Sequence, residues 1–153
     1  MMRRKDKQVT EKTAIEDILK DAQVCHLGMT ANNECYVVPL NFGYNGDSIF
    51  FHCAHVGKKV EMLRRNPRVC FEVTVDESLI DTGRPCDWGN KYRSVIGFGE
   101  VEFIEDDLQK RHALQFLVRH YSPKTSYEFN DQQVKNTTVF KVNIDSMTAK
   151  RSD

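Results

Sequence analysis

The chain has no Cys-x-x-Cys pair, one tryptophan, four prolines and no long apolar run, and its charges cancel. Each shortage removes a class of function. Its five cysteines stand at 25, 35, 53, 70 and 86, ten or more residues apart, so neither a zinc knuckle nor a thioredoxin-like redox motif is present. An odd count also argues against a complete disulfide framework. The cysteines are expected to be small buried hydrophobes in a reducing compartment. Lys plus Arg and Asp plus Glu each total 22, which leaves no global field to gather nucleic acid or an anionic membrane. No segment approaches the ~18 apolar residues of a membrane span. The start, MMRRKDKQVTEKTAIEDILK, has basic residues with no apolar run behind them, so no signal peptide is expected and the cytoplasm is the default compartment. At 153 residues one domain can bury a core without disulfides or a metal.

What is present is a period-two pattern between a few helices. Residues 1–9 are expected to be a polar tail and 10–150 a single domain. Thr13-Ala14-Ile15-Glu16 fits a capping box, followed by apolar residues at helical spacing. Strands are expected over 24–30, 35–44, 48–53, 68–75, 91–105 and 137–150, six in all. Asn45-Gly46-Asp47 is the strongest hairpin signal. A short helix after Gly57 ends at Asn66-Pro67, with Val60 and Leu63 buried and Met62 beside them. Residues 76–90 lack a sustained period and are expected to form a long loop. A further amphipathic helix over 106–121 would bury Leu108, His112, Leu114 or Gln115, Leu117 and Val118 on one side. Hairpin-linked strands with few crossover helices imply a mainly β fold with peripheral helices, closed as an antiparallel barrel.

The stretch FFHCAHVGKKVEMLRRNP, residues 50–67, gathers the chemistry-bearing side chains. On a strand, His52 and Cys53 point to opposite faces, which opposes both a metal site and a Cys/His nucleophile pair. No further ligand set supplies the three or four donors that zinc needs. Gly57-Lys58-Lys59 opens a helix, where unpaired amides attract an anion. Two lysines there oppose the helix dipole by about 0.3–1 kcal/mol each, a cost that a bound phosphate would offset. Two readings remain for this motif: solvated surface lysines, or a phosphate cradle. It is not a Walker sequence. The basic run through Arg64, Arg65 and Arg68 lacks the interleaved aromatics of a nucleic-acid platform, so no nucleic-acid partner is expected.

The ordered set Val-Pro-Leu-Asn-Phe, hairpin, Phe-His-x-Ala-x-x-Gly-Lys-Lys, Asn-Pro and Tyr-x-Ser-Val-x-x-x-Gly resembles the pyridoxamine 5'-phosphate oxidase-like flavin-binding family. Within it, the subgroup named for nitroimidazole resistance is most similar, over roughly residues 20–147. The resemblance implies a six-stranded antiparallel split β-barrel and a homodimer with FMN at the subunit interface. It implies that the backbone of Val38, Pro39, Leu40 and Asn41 runs along the flavin ring and that His52 and Cys53 lie beside it. Gly57, Lys58 and Lys59 would hold the phosphate, and Ser94 would reach the ring from the long strand. FAD or a deazaflavin are the alternatives to FMN. The oxidase proper uses a late Trp and Arg. Here the only tryptophan is Trp88 and the last residues offer Lys150 and Arg151, which counts against pyridoxamine-phosphate oxidation itself.

The function implied is a cytoplasmic FMN-dependent oxidoreductase that reduces a small electron-poor acceptor of the nitroimidazole or nitroaromatic kind, with His52 as the candidate catalytic side chain. Gly97-Phe98-Gly99 lacks the third glycine of a dinucleotide fingerprint, so a nicotinamide donor would bind transiently. The alternative is a non-catalytic module that stores or senses flavin.

Overall fold

Alternating apolar residues make strands when one side of the strand can be buried, and the strands Cys25–Ala31 and Glu34–Leu40 and the first half of Arg68–Ile80 follow that pattern. The structure is a computed structural model describing residues 4–124 and 126–153. Its elements run β1 (Gln8–Val9), α1 (Lys12–Asp21), β2 (Cys25–Ala31), β3 (Glu34–Leu40), β4 (Gly43–Tyr44) and β5 (Ser48–Cys53). Then come α2 (Lys58–Arg65), β6 (Arg68–Ile80), β7 (Gly89–Ile104), α3 (Asp107–Tyr121), α4 (Asp131–Lys135) and β8 (Thr138–Ser152).

The eight strands form one sheet in the order β3-β2-β6-β7-β8-β5-β4, with β1 added on β8. Every pairing is antiparallel. Six strands are long, as expected, and the other two have two residues each. The hydrogen-bonded path has two ends, β3 and β4, which do not pair with each other among the described residues, so strand pairing does not close the barrel. The curled sheet wraps a core in which Leu27, Phe51, Phe71, Val95 and Phe140 are fully buried. A smaller core of Phe50, Ile104, Leu114, Leu117, Val134 and Val139 joins β5, β7 and β8 to α3 and α4.

β5 explains why these two cores are adjacent. Its first four residues, Ser48, Ile49, Phe50 and Phe51, are all buried. Ile49 and Phe51 belong to the main core, where Phe51 stacks on Phe140 at 5.2 Å between ring centroids. Phe50 stacks on Phe116 of α3 at 5.2 Å, with the rings 8° from parallel. A strand buried on both sides reads as an unbroken apolar run, and Ile-Phe-Phe is that run.

Several expectations are corrected. The helix begins at Lys12 with Glu11 as its cap residue and no side-chain cap bond, so Thr13 is inside α1 and the capping box is not formed. A true capping box occurs instead at Asn130 and Gln133, opening α4. Residues 8–9 pair with Ala149 and Lys150 on β8 rather than lying loose; residues 1–3 lie outside the described residues. The expected 76–90 loop is shorter, spanning 81–88, because its two ends form a β-ribbon: Ser78, Leu79 and Ile80 pair with Lys91, Asn90 and Gly89 beyond a register shift after Val75. Both faces of that ribbon meet solvent, so no burial alternation marks it in the sequence. The 35–44 strand breaks after Leu40 into β3 and β4. On α3 the buried residues are Lys110, Ala113, Leu114 and Leu117, whereas Leu108 and His112 are exposed. Of the cysteines only Cys25 is fully buried; Cys35 and Cys86 are exposed, and all five are free thiols.

β4 lies so close to α3 that a side chain has no room. A Cβ on Gly43 would stand 2.5 Å from the Phe116 carbonyl carbon and 2.6 Å from the Leu117 amide nitrogen, both backbone atoms. Gly43→Ala must therefore push α3 outward. We expect a loss of about 2–3 kcal/mol, read as a lower urea midpoint at unchanged slope.

Candidate functional site

Gly57 is the cap residue of α2 and takes φ 127°, ψ 166°, a conformation that a side chain would strain. No side chain caps this end, and the first intrahelical bond runs from the Glu61 amide to the Gly57 carbonyl at 3.1 Å. The preceding amides of Lys58, Lys59 and Val60 therefore form the positive end of the helix. The two lysines have different surroundings. Lys58 forms an ion pair with Glu34 of β3 and lies over the Tyr36 ring, 4.9 Å from its centroid. Lys59 makes no ion pair among the described residues, and its charge acts on His52 and Cys53.

His52 and Cys53 diverge, as adjacent strand residues must. His52 is open to solvent on one side, lines a cavity on the other and pairs in register with Val139, while Cys53 leans onto the main core opposite Thr138. Partial burial, helped by Lys59, lowers the His52 pKa below the ordinary histidine value, so the ring is neutral at pH 7. Burial raises the Cys53 pKa despite Lys59, so Cys53 is a protonated thiol and not an activated nucleophile. His55 faces elsewhere, its Nδ1 2.7 Å from the Thr138 hydroxyl. Among the described residues no group of three or more His, Cys, Asp or Glu side chains is placed to hold a metal.

β3 pairs only with β2, so its other edge offers backbone groups with no strand partner. Val38 and Leu40 pack against the core, and Pro39 faces outward. Asn41 follows at the strand end and meets His52 at a cavity of about 470 Å³. Leu114, Leu117 and Val118 of α3 form one wall of that cavity and Phe129 another. Tyr121 anchors this corner: its hydroxyl accepts from the Phe42 amide at 2.9 Å and donates to the Gln23 carbonyl at 3.0 Å. Arg111 holds the Phe129 carbonyl and the Asp131 carboxylate, fixing the chain that carries Phe129 against α3.

The structure thus brings Asn41, His52, Cys53 and Lys59 together at one end of β5, with Gly57 and Lys58 continuing along the start of α2. It does not bring Ser94 to them. Ser94 is buried on β7 between Thr74 and Lys150, whereas His52 lies beside Val139, whose β7 partner is Ile104. From Ile104 back to Ser94 is roughly 33 Å of strand. The α3 and α4 residues of the cavity were not singled out in the sequence. Asn130-Asp131-Gln132-Gln133 is a cap signal that would have placed α4, but nothing local says which strand it covers.

The pyridoxamine 5'-phosphate oxidase family profile matches residues 11–151, spanning β2 through β8 with every site residue named above. The chain belongs to that family. No curated protein matches the sequence. Among solved structures it is similar to a candidate 5-nitroimidazole antibiotic resistance protein from Bacteroides thetaiotaomicron, at 38% identity and a TM-score of 0.83. That alignment covers 94% of this chain and 85% of the other. A flavocytochrome from Azotobacter vinelandii shares the fold at a TM-score of 0.86 and 20% identity, covering 100% of this chain and 72% of that one. An FAD and heme binding protein from Mycobacterium smegmatis does so at 0.86 and 21%, covering 96% and 74%.

The depressed His52 pKa has a consequence for this family member's stability. As pH falls below the unfolded-state value of about 6.5, the unfolded chain takes up the proton first, so folding stability falls with pH through the native value. His52→Gln removes that component. Between roughly pH 8 and pH 5 the wild-type urea midpoint is expected to drop further than that of the variant.

Proposed function

We propose that this chain is an FMN-binding oxidoreductase acting as a homodimer on a small, electron-poor acceptor of the nitroaromatic kind. The observation that carries the reading is Lys59: a cation without an ion pair among the described residues, at the bare amino end of α2, beside a neutral His52 on the rim of an apolar cavity. The residues fit a flavin. A phosphate finds a charge and free amides at Gly57–Lys59, and the unpaired edge of β3 presents ordered N–H and C=O groups to a planar ring. Family membership and the names of the flavin- and FAD-binding structural relatives support the same cofactor class. When bound, FMN supplies the hydride chemistry, and the protein supplies position and a dry site. Lys59 would hold the phosphate end, Asn41 and the β3 edge would orient the ring, and His52 would offer a neutral hydrogen-bonding group to the acceptor.

Two observations support the dimer. Ser94 lies outside the cavity that Asn41 and His52 share, so a second copy offers a route by which it could meet the same flavin. The outer face of β3-β2-β6-β7 also carries an apolar row, aligned by register from Val37 through Gly28 and Cys70 to Phe98. Val37 is 62% and Phe98 47% exposed, more than an unpartnered sheet face usually shows in apolar residues this close together. The five free thiols agree with a reducing compartment such as the cytoplasm, and no helix among the described residues is long and apolar enough to cross a membrane.

A second reading, a flavin-holding module without turnover, has its own support: among the described residues His52 has no orienting hydrogen-bond partner and Cys53 is protonated, so no acid–base set is assembled there. Nitroimidazole reduction by the loaded protein at a rate no better than free FMN would favour it.

The purified protein is expected to take up FMN one per subunit, identified by its absorbance and by the mass of the released cofactor. FAD or a deazaflavin in its place would correct the cofactor; no flavin uptake would sink the proposal. Lys59→Ala should weaken FMN binding by about tenfold or more, the loss of one charge-assisted contact. Lys58→Ala should cost less, because Glu34 already engages that lysine, and Glu34→Gln should tighten binding. Unchanged affinity in Lys59→Ala would move the phosphate elsewhere.

A further inference from the structure

The cavity beside His52 has a lining that is selective in two ways. In a chain with 29% charged residues, none of the side chains lining it is Asp, Glu, Lys or Arg. Its walls are the aliphatic face of α3 and the Phe129 ring. The polar groups in the lining divide into those already used by the fold and those left over. Tyr121 both accepts and donates within the chain, and the Thr137 hydroxyl donates to the Gln133 carbonyl at 2.7 Å. The Gln133 side-chain oxygen accepts from the Asn130 amide in the α4 capping box, at 3.3 Å. What remains without a partner among the described residues is the Gln133 side-chain NH2, the Asn41 amide and the His52 ring.

We propose that this cavity is the acceptor pocket and that it takes an uncharged aromatic molecule, its ring against Leu114, Leu117, Val118 and Phe129 and its polar substituents on Asn41, His52 and Gln133. The absence of any lining counter-charge makes an anionic ring costly to bury there, since a charge entering an apolar cavity needs a partner. A ring whose anionic group would have to sit inside the cavity, such as a nitrobenzoate, is disfavoured on that ground, whereas a neutral nitroimidazole keeps its hydrogen bonds. A volume of about 470 Å³ is ample for a single substituted ring. Gln133 is the specificity-setting residue in this scheme. Its oxygen is fixed by the cap, so its two N–H donors are held for a nitro or carbonyl oxygen rather than free to rotate away.

Calling the ligand the acceptor rests on the flavin reading; the pocket's occupancy does not, and the two are separable by measurement. Metronidazole and 4-nitrobenzoate are titrated into the flavin-free protein by calorimetry, and metronidazole again with FMN at saturation. The expected result is metronidazole binding at least tenfold tighter than 4-nitrobenzoate, retained when FMN is present. Two variants locate the site. Val118→Trp fills the cavity from its half-buried wall, and Gln133→Glu keeps the cap oxygen while removing the donors and adding a charge. Each should weaken metronidazole at least tenfold, with the circular dichroism and urea midpoint of Gln133→Glu unchanged. Equal affinity for the two probes, or wild-type affinity in Gln133→Glu, overturns the proposal. Displacement of metronidazole by FMN assigns the cavity to the flavin ring and overturns it too. If the protein takes up no FMN yet binds metronidazole as described, the flavin reading fails and the pocket stands.

Discussion

The double-sided burial of β5 is the constraint on which the site depends. Because Phe51 is needed in the barrel core and Phe50 against Phe116, the strand cannot shift by one residue without moving its whole apolar set to the wrong side. That fixed register carries His52 to the rim of the α3 cavity and turns Cys53 inward at the next position. It also sets where the strand must end, and therefore where Gly57 turns the chain into α2. The Gly43 backbone against α3 and the Tyr121 hydroxyl against Phe42 clamp the same corner from the other side. His120 adds to the clamp, with its Nε2 2.6 Å from the Ala22 carbonyl and its ring 4.4 Å from that of Phe42.

Electrostatics then divides the site into a charged end and a neutral end. Glu34 engages Lys58 and leaves Lys59 as the unpaired cation, so two neighbouring lysines come to have unequal roles. The field of Lys59 reaches back along β5 and, with burial, keeps His52 neutral. Beyond His52 no formal charge lines the cavity among the described residues. A ligand with one anionic end and a planar neutral body matches that gradient, and a separate neutral aromatic matches the far end alone.

How much of this was legible depended on whether the signal was local. The Asn45-Gly46-Asp47 hairpin, the Ile-Phe-Phe strand and the Val60, Met62, Leu63 stripe of α2 were readable because each fixes its own conformation within a few residues. The ribbon flanking residues 81–88 was not, because strands exposed on both faces carry no alternation. The face of α3 was legible in its second half, where Leu114 and Leu117 are buried, and misjudged at Leu108 and His112, because its apolar residues lie almost all round it. Leu108 fits the helical spacing, yet only the docking of β4 decides which side is covered. The family resemblance supplied the flavin, which the residues taken one by one did not.

By itself, the sequence determined the strand content, the divergence of His52 and Cys53 and the placing of Gly57-Lys58-Lys59 at a helix start. All of these follow from periods of two or 3.6 residues and from glycine's freedom, which act over one or two turns of chain. Only the tertiary structure decided that Glu34 pairs Lys58, that Asn41 and His52 share a cavity with Gln133, and that Ser94 lies outside the lining of that cavity. Those relations join segments 11 to 92 residues apart, and are set by which faces of the curled sheet can be buried at once. No local preference of the chain encodes that choice.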